Sequence, residues 1–529
     1  MNTHDYIIIG AGTAGCVLAT RLVEAGRSVL LLEAGPTDNN PFIHIPGGLQ
    51  KLKGDRSWTF FTEPEASALG RPVHLKQGRG LGGGSSVNGM VYIRGRASDY
   101  DGWRDAGCPG WGWDEVLPAF RRSEANQKFA GPWHGTDGPL KVADAGYHHP
   151  LSYAFIRAGQ QAGLAYNEDF NGERQEGVGF YQTTSFAGRR QSTPVAFLAR
   201  VRRNPLLTLR TDATVQSVLV ENGAATGVRF SAKGGGVQSA LVREEVILCA
   251  GAFGSPKILQ VSGIGPAALL GRLGIALTRD IAAVGENLQD HFQAGIYGRT
   301  RGPISLLGQD KGLNALRHGL QWLLFRSGLL TSNIVESGGF VDTTGEGLPD
   351  IQFTTVPTLT GDVGRPALPG HGMSVSPCVL RPKSRGSVMI ASPDPAATLS
   401  VRANALSHPD DMATLIRGMK VARKIMAAPA LAQLLECELA PGRDFAQPVS
   451  DAVLEQHART VMKTVYHPCG TCRMGSDPDA VVDPQLRVVG VPRLRVADAS
   501  IMPALVSGNT NAPAIMIAER CADFILRRG

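Results

Sequence analysis

At 529 residues and 56.0 kDa the chain is too long for one compact core, which predicts two to four structural units. Hydrophobic residues make up 43% and charged residues 19%, a balance that excludes a disordered chain. The net charge of +7 is spread without a Lys/Arg block, which gives no sign of a nucleic-acid partner. No apolar run reaches the roughly 18 residues of a membrane span; the nearest, 320–330, is interrupted by Arg326. Peripheral contact with an anionic inner membrane is the most that this charge supports. The eight cysteines, mostly isolated in apolar runs as at Cys16, Cys249, Cys437 and Cys521, read as reduced, buried thiols. Because the N-terminus runs straight into a strand without a secretory pattern, a cytoplasmic location is expected.

Taken in chain order, residues 5–9 form an apolar strand, followed by Gly10-Ala-Gly12-Thr-Ala-Gly15 and a helical pattern over 16–25 that Gly26 stops. A second strand at 28–32 ends in Glu33, eighteen residues beyond Gly15. Gly10 suits the tight turn, Gly12 admits a pyrophosphate, Gly15 lets helix and strand pack, and Glu33 accepts from ribose hydroxyls. Its charge repels a 2′-phosphate, so NADP is disfavoured while NAD and FAD stay open.

The next feature is Gly78-Arg-Gly80-Leu-Gly-Gly83-Gly-Ser85-Ser-Val-Asn88-Gly89-Met90-Val91, too glycine-rich for a helix or strand. Backbone amides without Cβ atoms can surround an anion or lie against a flat ring, and Ser85 and Asn88 add short polar contacts. In the middle of the chain, 351–355 and 386–390 read as strands and 410–426 as an amphipathic helix. Near the end, His467 sits in a Pro/Gly-bounded turn, and Pro513 opens a helix over 512–526 whose electropositive N-terminus points back at Ser507-Gly-Asn-Thr-Asn511. His467, Cys469 and Cys472 have no partners for a zinc site, so no metal is expected. Neither a phosphate-binding Gly-Lys nor a hydrolase Gly-x-Ser-x-Gly occurs.

The segment 78–95 and Gly251-Ala-Phe-Gly-Ser-Pro-Lys-Ile resemble the two signature stretches of the glucose–methanol–choline (GMC) flavoprotein oxidoreductases. Trp111-Gly-Trp-Asp-Glu, Val284-Gly-Glu-Asn-Leu-Gln-Asp-His291 and Tyr466-His-Pro-Cys-Gly-Thr-Cys extend the resemblance over the whole chain, toward the bacterial choline dehydrogenase-like alcohol dehydrogenases. The resemblance implies FAD and a discontinuous α/β Rossmann-type FAD domain at 1–155, 210–299 and 460–529. An α+β substrate domain at 300–459 is inserted, with 156–209 as a connecting or substrate-domain segment. It further implies cofactor contacts from Gly10, Gly12, Thr13, Ala14, Gly15, Glu33 and Ala34, and from Gly80, Gly83, Ser85, Asn88, Gly89, Met90 and Val91. Val215, Tyr466, Asp498, Ala499 and Asn511 complete that set.

His467 matches the family's base and Asn511 the group that steadies the alkoxide. Val87 stands where some choline-oxidising relatives have the histidine that carries a covalent flavin, so non-covalent FAD is expected. Glu336 matches roughly the acid that faces a trimethylammonium group, and Val465 an apolar residue near the flavin in oxygen-using members. The implied activity is oxidation of a primary alcohol to an aldehyde, with a quinone or O2 as acceptor. The alternatives are an oxidase of aryl or furanic alcohols such as hydroxymethylfurfural, releasing H2O2, and a hydroxynitrile lyase on the same scaffold. Asp290-His291 reads as structural.

Overall fold

A computed structural model describes residues 3–52 and 54–527. Two sheets divide the molecule. In the first, Leu207–Arg210, Val29–Leu32, Thr3–Ile9 and the long strand Val237–Leu248 run parallel in that order. The far end of Val237–Leu248 pairs in parallel with Leu494–Val496, while its start pairs antiparallel with Ala224–Ala232, which continues to Ala213–Glu221. Ile7, Ile8, Leu31, Ile247 and Val496 are fully buried or nearly so, as a sheet covered on both faces requires. One cover is the helix Thr13–Glu24, against which Asn511–Leu526 packs.

Thr13 donates to Asn511 at 2.9 Å, and Arg21 grips Glu519 through both of its oxygens. These two links share one sequence offset, so the helices run parallel and in register. Their N-termini lie side by side, and each contributes roughly half a positive charge there.

The second sheet is antiparallel, in the order Leu435–Ala440, Ile296–Thr300, Gly372–Val379, Ile351–Val356, Ser337–Val341, Gly177–Phe180. Helix Pro409–Ala427 buries Met412, Leu415, Met419 and Ala422 in a core shared with Ile351, Phe353 and Val375. The strand expected at 386–390 lies apart, as Ser387–Ile390 in a hairpin with Leu399–Arg402. This second sheet already begins at Phe292–Gln293, inside the segment read as cofactor domain. The short strand Lys463–Thr464 pairs with Phe292–Gln293, so the last stretch of the chain leaves one sheet just before His467 and enters the other at Leu494.

Candidate active site

At the nucleotide end the glycines work by close approach. A Cβ on Gly15 would lie 1.9 Å from the Gly10 carbonyl oxygen, and one on Gly83, where φ is +50°, would lie 2.8 Å from the Gly12 Cα. The Gly82 amide donates to the Ala11 carbonyl at 2.7 Å. Glu33 joins the two glycine segments: its carboxylate accepts from the amides of Ala11, Gly35 and Gly80 at 2.8–3.0 Å. A carboxylate offers about four acceptor sites, so Glu33 is first an internal clamp, with one site left for a ribose hydroxyl.

By contrast, Gly84, Gly89 and Gly251 face open space: among the described residues, and apart from their own chain neighbours and helix backbone, nothing lies within 4 Å of an added Cβ. A cradle of bare backbone on this side, with two helix N-termini converging beside it, fits the pyrophosphate and the flat ring of FAD. The Asn88 side chain accepts from the Met90 amide and from Arg190, and Met90 holds φ +59°. Among the described residues Arg190 is buried without an acidic partner; it also bonds the carbonyls of Ile43, Ser85 and Asn88, and burial lowers its pKa to about 9. Val91 bridges to Thr183, and Val215 is buried on Ala213–Glu221. Two further candidates are committed to protein donors and acceptors. Ser85 Oγ donates to the Gly82 carbonyl and accepts from the Thr193 amide. Asp498 receives the amides of Gly251 and Ser500 and the Ser255 hydroxyl, tying the last strand to helix Gly251–Val261, while Ala499 next to it is half-buried.

The base end is assembled from four stretches of chain. Asp290 accepts from the amides of His291 and His467, both at 2.8 Å, and from the Thr464 hydroxyl. Thr464 also takes the amide of Tyr466, which holds φ +66°, so the turn that presents His467 is pinned at each residue. Val465 donates its amide to the His291 carbonyl, and the exposed ring of Tyr466 packs edge-on against His74. His467 Nδ1 lies 3.0 Å from His291 Nδ1, and its Nε2 lies 3.2 Å from the Asn509 amide nitrogen.

These contacts fix the tautomers. His291 Nε2 meets the Leu380 carbonyl at 3.0 Å, and a carbonyl only accepts, so His291 carries its proton there and offers a bare Nδ1. His467 must therefore donate from Nδ1, which leaves the lone pair on its Nε2, on the side of Asn509. Burial and the neighbouring His291 hold His467 well below the usual histidine pKa, and burial takes His291 down to about 4. Burial also raises Asp290 to about 7.

The partner of His467 is thus Asn509, whose own carbonyl oxygen accepts from Gln352 at 3.2 Å on the second sheet. Asn511, expected to steady the alkoxide, starts the last helix; its side-chain oxygen accepts from Thr13, a bond that does not engage its amide nitrogen. The loop before it is fastened by Asp99, which takes the Ser507 amide and hydroxyl, and Gly508 fits where a Cβ would lie 2.3 Å from Ile93. Spacing could not separate the two asparagines of Asn-Thr-Asn, since only the point where the helix begins tells which one stays in the loop. His291, read as structural, touches the base directly; the Gln-Asp-His run was its one visible signal.

Glu336 is engaged by protein donors. It is 1% exposed, and it accepts from the His149 amide and the Ser152 hydroxyl at the start of helix Pro150–Gln161 and from the nearby Ser332 hydroxyl. Among the described residues it has a structural task, and no cation-binding face follows from it.

The GMC oxidoreductase family models match residues 4–293 and 382–518. An alcohol dehydrogenase [acceptor] of Pseudomonas putida is 44% identical, covering 99% of this chain and 96% of its own length. An oxygen-dependent choline dehydrogenase of Sinorhizobium fredii is 42% identical over 99% and 95%. Among solved structures, pyridoxine 4-oxidase from Mesorbium loti superposes with a TM-score of 0.89 at 33% identity, covering 98% of both chains. An FAD-dependent oxidoreductase from Chaetomium thermophilum gives 0.90 at 26%, covering 99% of both. The chain belongs to the GMC oxidoreductase family. It is an FAD-dependent oxidoreductase, and the glycine cradle described above suits that cofactor.

Proposed function

We propose that the protein oxidises a primary alcohol to the aldehyde, with Nε2 of His467 as the base. The observation that carries this reading is the chain Leu380 carbonyl, His291, His467, which leaves a bare, buried imidazole nitrogen beside a hydrogen-bond donor. Bound FAD supplies the hydride acceptor. His467 takes the hydroxyl proton at Nε2, its Nδ1–H stays on His291, and the Asn509 amide donates to the oxygen that becomes negative. Asp290 keeps the turn in place while this happens. The cofactor residues Gly10, Gly12, Thr13, Ala14, Gly15 and Ala34 belong with the pyrophosphate and ribose, and Gly80, Gly83 and 88–91 with the ring.

Non-covalent attachment is supported by Val87, which has no nucleophilic atom. Acid precipitation should therefore release yellow flavin to the supernatant. With Glu336 engaged inside the protein, an uncharged alkyl, aryl or furanic alcohol is favoured over choline. The acceptor is a quinone or O2; of the two relatives named above, one is described as oxygen-dependent and the other only as using an acceptor. The experiment is anaerobic mixing of the purified holoenzyme with choline, benzyl alcohol, hydroxymethylfurfural and a medium-chain alkanol in turn. Bleaching of the flavin by one of the last three supports the reading, and admitting air then tells oxidase from dehydrogenase. An oxidised flavin with all four, together with cleavage of a cyanohydrin, would replace it with a lyase.

A further inference from the structure

Helix Gly312–Phe325 is folded inside out. Its leucines recur at 313, 316, 320 and 323, the spacing of a buried stripe, yet Leu313 is 83% exposed and Leu324 and Phe325 are 67% and 72% exposed. The face turned to the protein carries the more polar residues. His318 is buried against Gln309 at 2.9 Å, and the half-buried Trp322 donates its indole N–H to the Gly188 carbonyl at 2.7 Å. Ile304 and Leu307, on the loop before the helix, are exposed as well.

Charge selects the occupant. Between 301 and 335 there are four Arg or Lys residues against one acid, Asp310, and none of the residues from 311 to 335 is acidic. Lys311, Arg317 and Arg326 are exposed at the start, middle and end of the helix. Aliphatic leucines are poor protein–protein hot spots, whereas a short leucine stripe flanked by cations suits the headgroup boundary of an anionic bilayer. Fourteen residues make a helix about 21 Å long, too short to cross the roughly 30 Å of hydrocarbon, so it can only lie in the plane.

We propose that Gly312–Phe325 is a docking surface for an anionic lipid membrane. The hairpin Ser185–Phe186/Arg189–Arg190 connects it to the site: Gly188 receives Trp322, and Arg190 holds Asn88 in the cofactor cradle. Docking would bring the cradle close to a phase in which apolar alcohols and quinones concentrate.

The test is flotation of the holoenzyme with vesicles of phosphatidylglycerol and phosphatidylethanolamine, and separately with phosphatidylcholine alone. Wild type should float with the anionic vesicles only. The triple variant Leu316→Gln/Leu320→Gln/Leu323→Gln and the double variant Lys311→Glu/Arg317→Glu should each lower partitioning by about tenfold or more. Both should keep the flavin content and melting temperature of wild type. Wild type left at the bottom of the gradient with anionic vesicles overturns the proposal. So does light scattering that finds a dimer abolished by the glutamine substitutions, because the stripe would then be covered by a second copy.

Discussion

The nucleotide end and the base end of this molecule are built by opposite means. At the first, the structure removes side chains: Gly10, Gly15, Gly35 and Gly83 let backbone meet backbone, and Glu33 clamps the result through three amides. At the second, side chains do all the positioning, with Asp290, His291, Thr464 and Asn509 surrounding one imidazole. The first arrangement tolerates no added atom. The second tolerates substitution of individual atoms but depends on which atom carries each proton.

The sharpest way to break this contrast is to add bulk at the nucleotide end. Gly15→Val places atoms inside the Gly10 carbonyl contact, and the protein should purify without FAD, which the ratio of absorbance at 450 and 280 nm reports. His467→Ala should do the reverse: it keeps its flavin, and anaerobic stopped-flow reduction by the alcohol slows by about 10²–10⁴-fold. If it reduced as fast as wild type, the base would have to lie elsewhere.

Next in size comes the choice of amide. Asn509→Ala should slow flavin reduction by about a hundredfold, the loss of one oxyanion donor typically costing about 10²–10³-fold. Asn511→Ala, by loosening the joint with Thr13, should mainly weaken FAD binding. Equal losses of reduction rate in both would undo the assignment of Asn509.

The pH profile tests the proton chain. Because the fold lowers the pKa of His467, its neutral form persists below pH 6.5, and the reduction rate should stay flat through that value before falling in acid. His291→Phe removes the acceptor for Nδ1–H and leaves in place the burial that is the main cause of the lowered pKa. The acid limb should therefore stay well below 6.5, while the misplaced ring lowers the rate by roughly tenfold. The linked stability has the same direction. The unfolded chain binds protons at these two histidines before the folded one does, so stability is full above about pH 6.5 and declines as pH falls toward the folded values.

The smallest effect is expected at Glu336. Glu336→Gln should cost about 1–3 kcal/mol through unsatisfied donors, seen as a lower melting temperature, with the ranking of alcohols unchanged. A selective loss of activity on choline would return Glu336 to the substrate site.

Much of the nucleotide end was legible in the sequence because it is local. The strand Thr3–Ile9, the glycines, the helix Thr13–Glu24 and Val29–Leu32 follow one another within about thirty residues, and each has a conformational signature. The base end was legible only in part. His467 stood out through the resemblance, but Asp290 and His291 lie some 176 residues before it, and Leu380 acts through a carbonyl that any residue would supply. The outward leucines of Gly312–Phe325 were likewise invisible, since a periodic stripe says that a helix has an apolar face and not which way that face turns.

By itself the sequence determined the dinucleotide turn, the second glycine segment and the histidine in a rigid turn, since glycine admits and proline fixes particular backbone conformations wherever they stand. Only the tertiary structure decided which asparagine meets that histidine, which proton its ring keeps, and that Glu336 is spent inside the protein. Those depend on where a helix begins, on a carbonyl just beyond the strand Gly372–Val379 and on two donors at the start of helix Pro150–Gln161, contacts between residues far apart in the chain.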